Sequence, residues 1–426
     1  MRTAWWPLVP FQLFTTTAWT RGPVPRGRSL AASQWARRVG TALVVAVPLC
    51  GCRPGAGRPI GAEPGAPLPG LSQAELARFV QGRALFNHAF TPAEGLGPLF
   101  NQDRCSSCHD LPTSGGTGAE AVLLATRFEP PDRCDPLTEQ GGSNIQMRTT
   151  PLLRALGVER ERVPPGANAQ ARVTPPALFG VGMVEAVPEA TILALADPDD
   201  RDGDGVSGRA GRAPDGRFGR FGRKAEFATL REFIDGALRF ELGITTPDHP
   251  AEERVNGVPL PAEADPAPDP EIDAAGLDLL VDYVRLLAPL APLQPASAAA
   301  RDTLQRGERA FHAAGCAACH VPAMRTGRDR NPAFDRKWFR VYSDLLLHDL
   351  GPELAGVCGA GATPSEYRTA SLVGLRYRTG LLHDGRAASV WAAVLLHGGE
   401  AAAARRAFIR LDPAVREYLA AFLHSL

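Results

Sequence analysis

Lysine is almost missing from this 426-residue sequence: it occurs only at 224 and 337, and arginine supplies the rest of the positive charge. That bias carries no functional reading by itself. Net charge is missing too, because 46 basic residues balance 46 acidic ones and the pI is near 7.1. Nothing in that balance draws the chain to nucleic acid or to an anionic membrane surface. Long apolar runs are also absent. The best is Val39 to Leu49, well short of the roughly 20 residues that span a bilayer. Histidine and methionine are few, nine and four, so any metal-ligand argument can be made by enumeration.

The apolar run follows Arg37-Arg38 and ends in Leu49-Cys50-Gly51-Cys52, the order of a secretory signal with a lipobox-like end. The expectation is an export leader over 1–52, with Cys52 lipidated as a membrane anchor on the periplasmic side, at the outer membrane rather than the inner. The plainer alternative is a cleaved signal with an incidental cysteine. Residues 53–71, "RPGAGRPIGAEPGAPLPGL", hold too much Pro and Gly to fold and read as a tether. Eight cysteines, less Cys50, Cys52 and the four in the two motifs below, leave Cys134 and Cys358. In an oxidising compartment these form either a disulfide or two separate buried thiols.

Beyond the tether, Ser72 and Glu75 form a capping box, and Leu76, Phe79 and Val80 carry a helix through Gly82 to Phe86. A second helix presents Leu277, Leu280, Val281, Val284 and Leu287 and stops at Pro289. After "APLQPAS", Gly307-Glu-Arg-Ala-Phe311 repeats the Gly82-Arg-Ala-Leu-Phe86 pattern, and a last helix opens at Asp412-Pro413 with Val415, Leu419 and Phe422 facing in. The order helix, motif, loops, terminal helix occurs twice. A mainly α fold follows, with an internal duplication over 72–292 and 293–426 and a large insertion in the first copy. Strand signals are sparse, one short strand falling in "RVTPPALFGVGMV".

Each copy holds one CxxCH: "CSSCH" at 105–109 and "CAACH" at 316–320. Two thiols at this spacing can add to the two vinyl groups of haem while the adjacent His reaches the iron. A redox dithiol needs no His and belongs after a strand in a βαβ unit. Zinc needs two further ligands at matching spacing, and none recurs. Cys105, Cys108 and His109 therefore read as one covalent haem c site, and Cys316, Cys319 and His320 as another. For the opposite face of the second iron, His397 lies on a stripe with Val390 and Val394, and His383 and His348 compete with it. A His on an apolar stripe is equally a core residue. For the first iron only Met147 and Met183 are near in sequence, with Glu185 as the acidic group placed beside it; a paired or exposed carboxylate is the alternative. Asp200, Asp202 and Asp204 alternate before Gly205 as in a calcium loop, or form only a solvated turn. Arg172 and Arg368 could pair with haem propionates, or with surface carboxylates.

The segments "FTPAEGLGPLFNQDRCSSCHDLPTSGG", "RVTPPALFGVGMVEAVP", "DPDDRDGDGVSGR", "GRFGRKA", "YSDLLLHDLGP" and "EYRTASLVGLRYRTGLLHDGRAASVWAAVLLHGGEA" together resemble the bacterial di-haem oxidoreductase family. That family is related to di-haem cytochrome c peroxidase and to the enzyme that matures the tryptophan cofactor of methylamine dehydrogenase. The resemblance spans about residues 73 to 426. It implies two cytochrome c-like domains, a catalytic N-terminal haem, a C-terminal relay haem, often calcium between the domains, and His397 as the relay iron's second ligand. The chain departs from the family where Met183 stands for a Leu and Arg223 for a Trp; Met183 as a ligand would close the first iron. The expected function is a peroxidase-like oxidoreductase acting on a small oxidant, with Glu185 moving the proton and a redox partner protein supplying electrons. The alternative is a membrane-tethered electron carrier with two six-coordinate haems and no substrate of its own.

Overall fold

The structure is a computed structural model that describes residues 59–426. Residues 1–58, which include the expected leader with Cys50 and Cys52, lie outside the described residues. Residues 59–71, expected to be tether, are instead packed: Ile60 bridges Phe339, Ala62 bridges Leu290, and Leu68 is buried. The few apolar residues among the prolines are the ones that dock.

Helix α1 (Gln73–Asn87) starts at the Ser72/Glu75 capping box. Next come four strands not foreseen as a sheet: β1 (Val122–Glu129), β2 (Arg133–Asp135), β3 (Ser143–Ile145) and β4 (Ala169–Val173). All three partners run antiparallel to β1, with Arg127 opposite Asp135, Leu123 opposite Ile145, and Leu123 opposite Arg172. Three of the four have at most five residues, too few for a period of two to stand out. With the two-stranded ladders elsewhere, they make the fold a mixture of helix and strand rather than mainly α.

Helix α2 (Leu230–Ala237) precedes α3 (Ala274–Leu286), which packs against α1 through Tyr283, its ring centroid 5.1 Å from that of Phe79 and 5.0 Å from that of Phe86. The second copy rebuilds this pair. Helix α4 (Ala298–Ala313) packs on the terminal helix through Phe311 and Phe422, at 5.6 Å. Between them lie the β5/β6 ladder (Leu347–Asp349 with Glu366–Arg368), α5 (Val390–Leu395), α6 (Ala402–Arg410) and then α7 (Pro413–His424). One apolar cluster runs from Leu68 to Leu426 through both copies, each large side chain in it contributing roughly 1.5–3 kcal/mol.

Candidate functional site

Each CxxCH begins on a tight 3-10 turn, Cys105–Ser107 and Cys316–Ala318; the second follows α4 directly, whereas the first is reached through a loop after α1. The turns hold the histidines close: His109 N donates to Cys105 O at 3.2 Å, and His320 N to Cys316 O at 3.0 Å. Both rings are then fixed the same way. His109 Nδ1 lies 3.0 Å from Gly116 O and His320 Nδ1 3.0 Å from Tyr342 O. A carbonyl can only accept, so Nδ1 carries the hydrogen and Nε2 keeps its lone pair, the arrangement a metal ligand needs. Burial lowers the pKa of His109, and takes that of His320 down to about 4 despite the Tyr342 carbonyl. Both imidazoles are neutral. The thiols are the reverse of reactive: burial pushes Cys105 and Cys108 up to about 12 and Cys316 to about 11, which argues against thiolate chemistry.

Among the three competing histidines the structure separates the roles. His348 is clamped by Asp344 at Nε2 and Glu400 at Nδ1, both at 2.7 Å. Burial opposes its charge, yet these carboxylates and Cys319 lift its pKa to about 12, so it is an imidazolium with no lone pair. His383 stacks on Tyr367 and pairs Nε2 with its hydroxyl at 3.2 Å. His397 repeats the pattern of the motif histidines: Nδ1 sits 2.7 Å from Ala393 O, burial lowers its pKa, and it is close enough to His320 to depress that ring's pKa as well.

Near CSSCH the expected residues are placed differently. Met183 is fully buried in the apolar core and Met147 is partly exposed. Glu185 Oε1 accepts Leu230 N at 2.9 Å, capping α2, and Oε2 lies 3.8 Å from Arg285. A different carboxylate stands by the motif. Glu241 sits in a π-helical turn, Leu238–Leu242, a local form that recurs at functional sites. Its backbone carbonyl accepts Asn101 N (2.7 Å) and Gln102 N (3.0 Å), just ahead of Cys105. Its carboxylate accepts the side-chain amides of Asn144 (2.6 Å) and Asn101 (3.1 Å), and Asn101 is itself fixed by Met147 N at 3.0 Å. Burial outweighs both amides and raises Glu241 to about 7, and its charge in turn helps raise the Cys108 thiol. No sequence pattern marked it. The available signal was an acid between apolar residues just before a glycine, in "RFELG".

Asp200, Asp202 and Asp204 do converge, one oxygen of each lying within 4.8 Å of the others. A second group of carboxylates, Glu252, Asp265, Asp269 and Glu271, was not foreseen. Arg172 is exposed on β4, whereas Arg368 is half-buried with Nε donating to Gly222 O at 2.9 Å. Cys134 and Cys358 are joined in a disulfide, Cα atoms 5.8 Å apart.

Residues 167–426 match the family described as "Di-haem oxidoreductase, putative peroxidase", and the chain belongs to that family. Membership implies two haems, and the donor set just described suits them. Similar solved structures include hydrazine synthase from Kuenenia stuttgartiensis, at 14% identity and TM-score 0.39, covering 91% of this chain and 100% of that one. A MauG-like protein associated with microbial copper homeostasis is similar at 14% identity and TM-score 0.35, covering 87% and 94%. A variant of the diheme peroxidase BthA from Burkholderia thailandensis is similar at 16% identity and TM-score 0.31, covering 86% and 89%. No curated protein matches.

Proposed function

We propose that this is an exported c-type di-haem oxidoreductase of peroxidase type, anchored through Cys52, with a catalytic haem on Cys105, Cys108 and His109. A relay haem is held by Cys316, Cys319, His320 and His397, and receives electrons from a redox partner protein. The observation that carries this reading is an asymmetry. CAACH is accompanied by a neutral imidazole with its lone pair to spare, a second strong ligand, while CSSCH is accompanied by a buried carboxyl that titrates near neutrality. The first suits electron relay and the second suits substrate chemistry.

The haems, when bound, supply the electrons that split a peroxide O–O bond. Reduction of hydrogen peroxide to two waters also consumes two protons, and moving them is the protein's share. Glu241 replaces Glu185 in that role, because the Glu185 carboxylate is spent on the first turn of α2. As a carboxylate, Glu241 takes the proton from one peroxide oxygen; as the acid, it returns it to the oxygen that leaves as water. Asn101 and Asn144 hold its two oxygens in place through the exchange. A divalent ion, calcium by the oxygen-only donor set, is assigned to Asp200, Asp202 and Asp204.

The test is a pH profile. The peroxide-dependent rate of the holoprotein should rise through about pH 7 as Glu241 ionises. In Glu241→Gln that limb should vanish and the rate fall by about 10²–10⁴, the usual worth of a positioned acid–base group, while Glu185→Gln keeps both. Retention of the limb in Glu241→Gln, or its loss in Glu185→Gln, defeats the assignment.

A further inference from the structure

We infer that Arg223, Arg368 and Arg378 form a single half-buried anion site lying between the two CxxCH motifs, whose ligands are carboxylates, the haem propionates on the function proposed above. The three residues are half-buried, and loss of water around their guanidinium groups lowers the pKa of each, that of Arg223 to about 10 with Arg378 and Arg368 adding repulsion. Among the described residues no salt bridge reaches any of them. Glu226 and Asp344 are the acidic groups that favour the charge of Arg368, and Glu226 is itself shifted upward by burial. Arg378 Nε is fully buried with no hydrogen-bond partner. Three cations gathered in a partly dehydrated place with so little opposing charge are costly unless an anion arrives. The planar fork of arginine matches a carboxylate in particular. Lys224, the neighbouring cation, is already satisfied by the carbonyls of Thr363, Pro364 and Glu366 and is not part of the site.

The location follows from a chain of hydrogen bonds. On one side Arg223 Nη2 donates to Thr174 O; the next carbonyl, Pro175 O, accepts Thr117 Oγ1 at 2.8 Å, in the loop whose Gly116 O fixes His109. On the other side Arg368 N donates to Arg223 O at 2.8 Å, Thr369 N to Leu346 O at 2.9 Å, and Asp344 N to Cys319 O at 2.8 Å. The cluster therefore touches the support of both motifs. Arg223 is the residue common to the two paths.

The test uses the holoprotein, with Arg223→Gln and Arg378→Gln, each first shown by its pyridine haemochrome spectrum to keep two haems. Removing a cation beside a haem carboxylate favours the oxidised iron, so the midpoint potential of at least one haem should fall, and the propionate bending bands in resonance Raman should shift. Arg378→Lys, which folds with its charge intact, should hold the midpoint while still moving the bands. Unchanged midpoints and bands in di-haem variants overturn this site alone. A wild-type chain that carries no haem overturns the function on which the site rests.

Discussion

His397 lies two residues past the end of α5 and turns its Nδ1 back onto the carbonyl of Ala393, in the last turn of that helix, which fixes the tautomer of the ring. Its two rivals are each committed elsewhere, one to carboxylates and one to a tyrosine hydroxyl. If His397 is the relay ligand, His397→Ala should convert one of the two haems to a high-spin form visible in optical and EPR spectra. His397→Met should keep that haem low-spin and raise its midpoint, because a thioether favours the reduced iron. Unaltered spectra of both haems in both variants would remove His397 from the assignment. At this scale the sequence was uneven in what it showed. A stripe of Val390, Val394 and His397 is visible as periodicity, and CxxCH is a pattern of adjacent letters. Glu241 becomes unusual only through its surroundings in the fold, and the residues that hold its carboxylate, Asn101 and Asn144, are 140 and 97 residues away.

The two helix pairs, α1/α3 and α4/α7, are each closed on a glycine at the same place, four residues before the inward phenylalanine. A Cβ on Gly82 would lie 2.2 Å from Leu279 O, and one on Gly307 would lie 2.0 Å from Tyr418 O and 2.5 Å from Phe422 Cβ. The carbonyl contacts are with backbone and the Phe422 Cβ is fixed by it, so no rotamer change relieves them and the helices themselves would have to separate. Alanine gains about 1 kcal/mol in helix propensity over glycine, but overpacking costs about 1–3 kcal/mol or more, and the second term should win. Gly82→Ala and Gly307→Ala should each lower the melting temperature of the holoprotein, whereas a freely exposed helical glycine replaced by alanine would raise it. Helices were the legible elements because 13 to 16 residues repeat the 3.6-residue period several times. The glycine repeat could be seen in the sequence as a shared motif. Its reason, the close approach of a partner helix, could not, since that partner lies nearly 200 residues further on in the first copy.

Among the described residues, the apolar cluster that runs through both halves includes none of the inserted sheet, which is joined to the second half by polar and covalent links. Thr174 N, just past β4, donates to His383 O at 2.9 Å, and Cys358 N donates to Thr126 Oγ1 of β1 at 3.2 Å. The Cys134–Cys358 bond closes a loop of 224 residues at the same junction. Counting cysteines left two equal options for this pair, since sequence separation says nothing of whether β2 and the loop after β5 meet. Closing so long a loop removes about 5 kcal/mol of denatured-state entropy in the chain model, with about 2–5 kcal/mol the range when native bonds of small domains are deleted. Cys134→Ser/Cys358→Ser should therefore melt well below the wild type in the absence of reductant. Reductant should lower the wild-type melting temperature toward that of the variant and leave the variant itself unmoved. Because the bond lies away from both motifs in sequence, the variant should keep two haems and the pH limit assigned to Glu241. A variant as stable as the wild type would mean that the polar contacts alone hold the sheet to the second half.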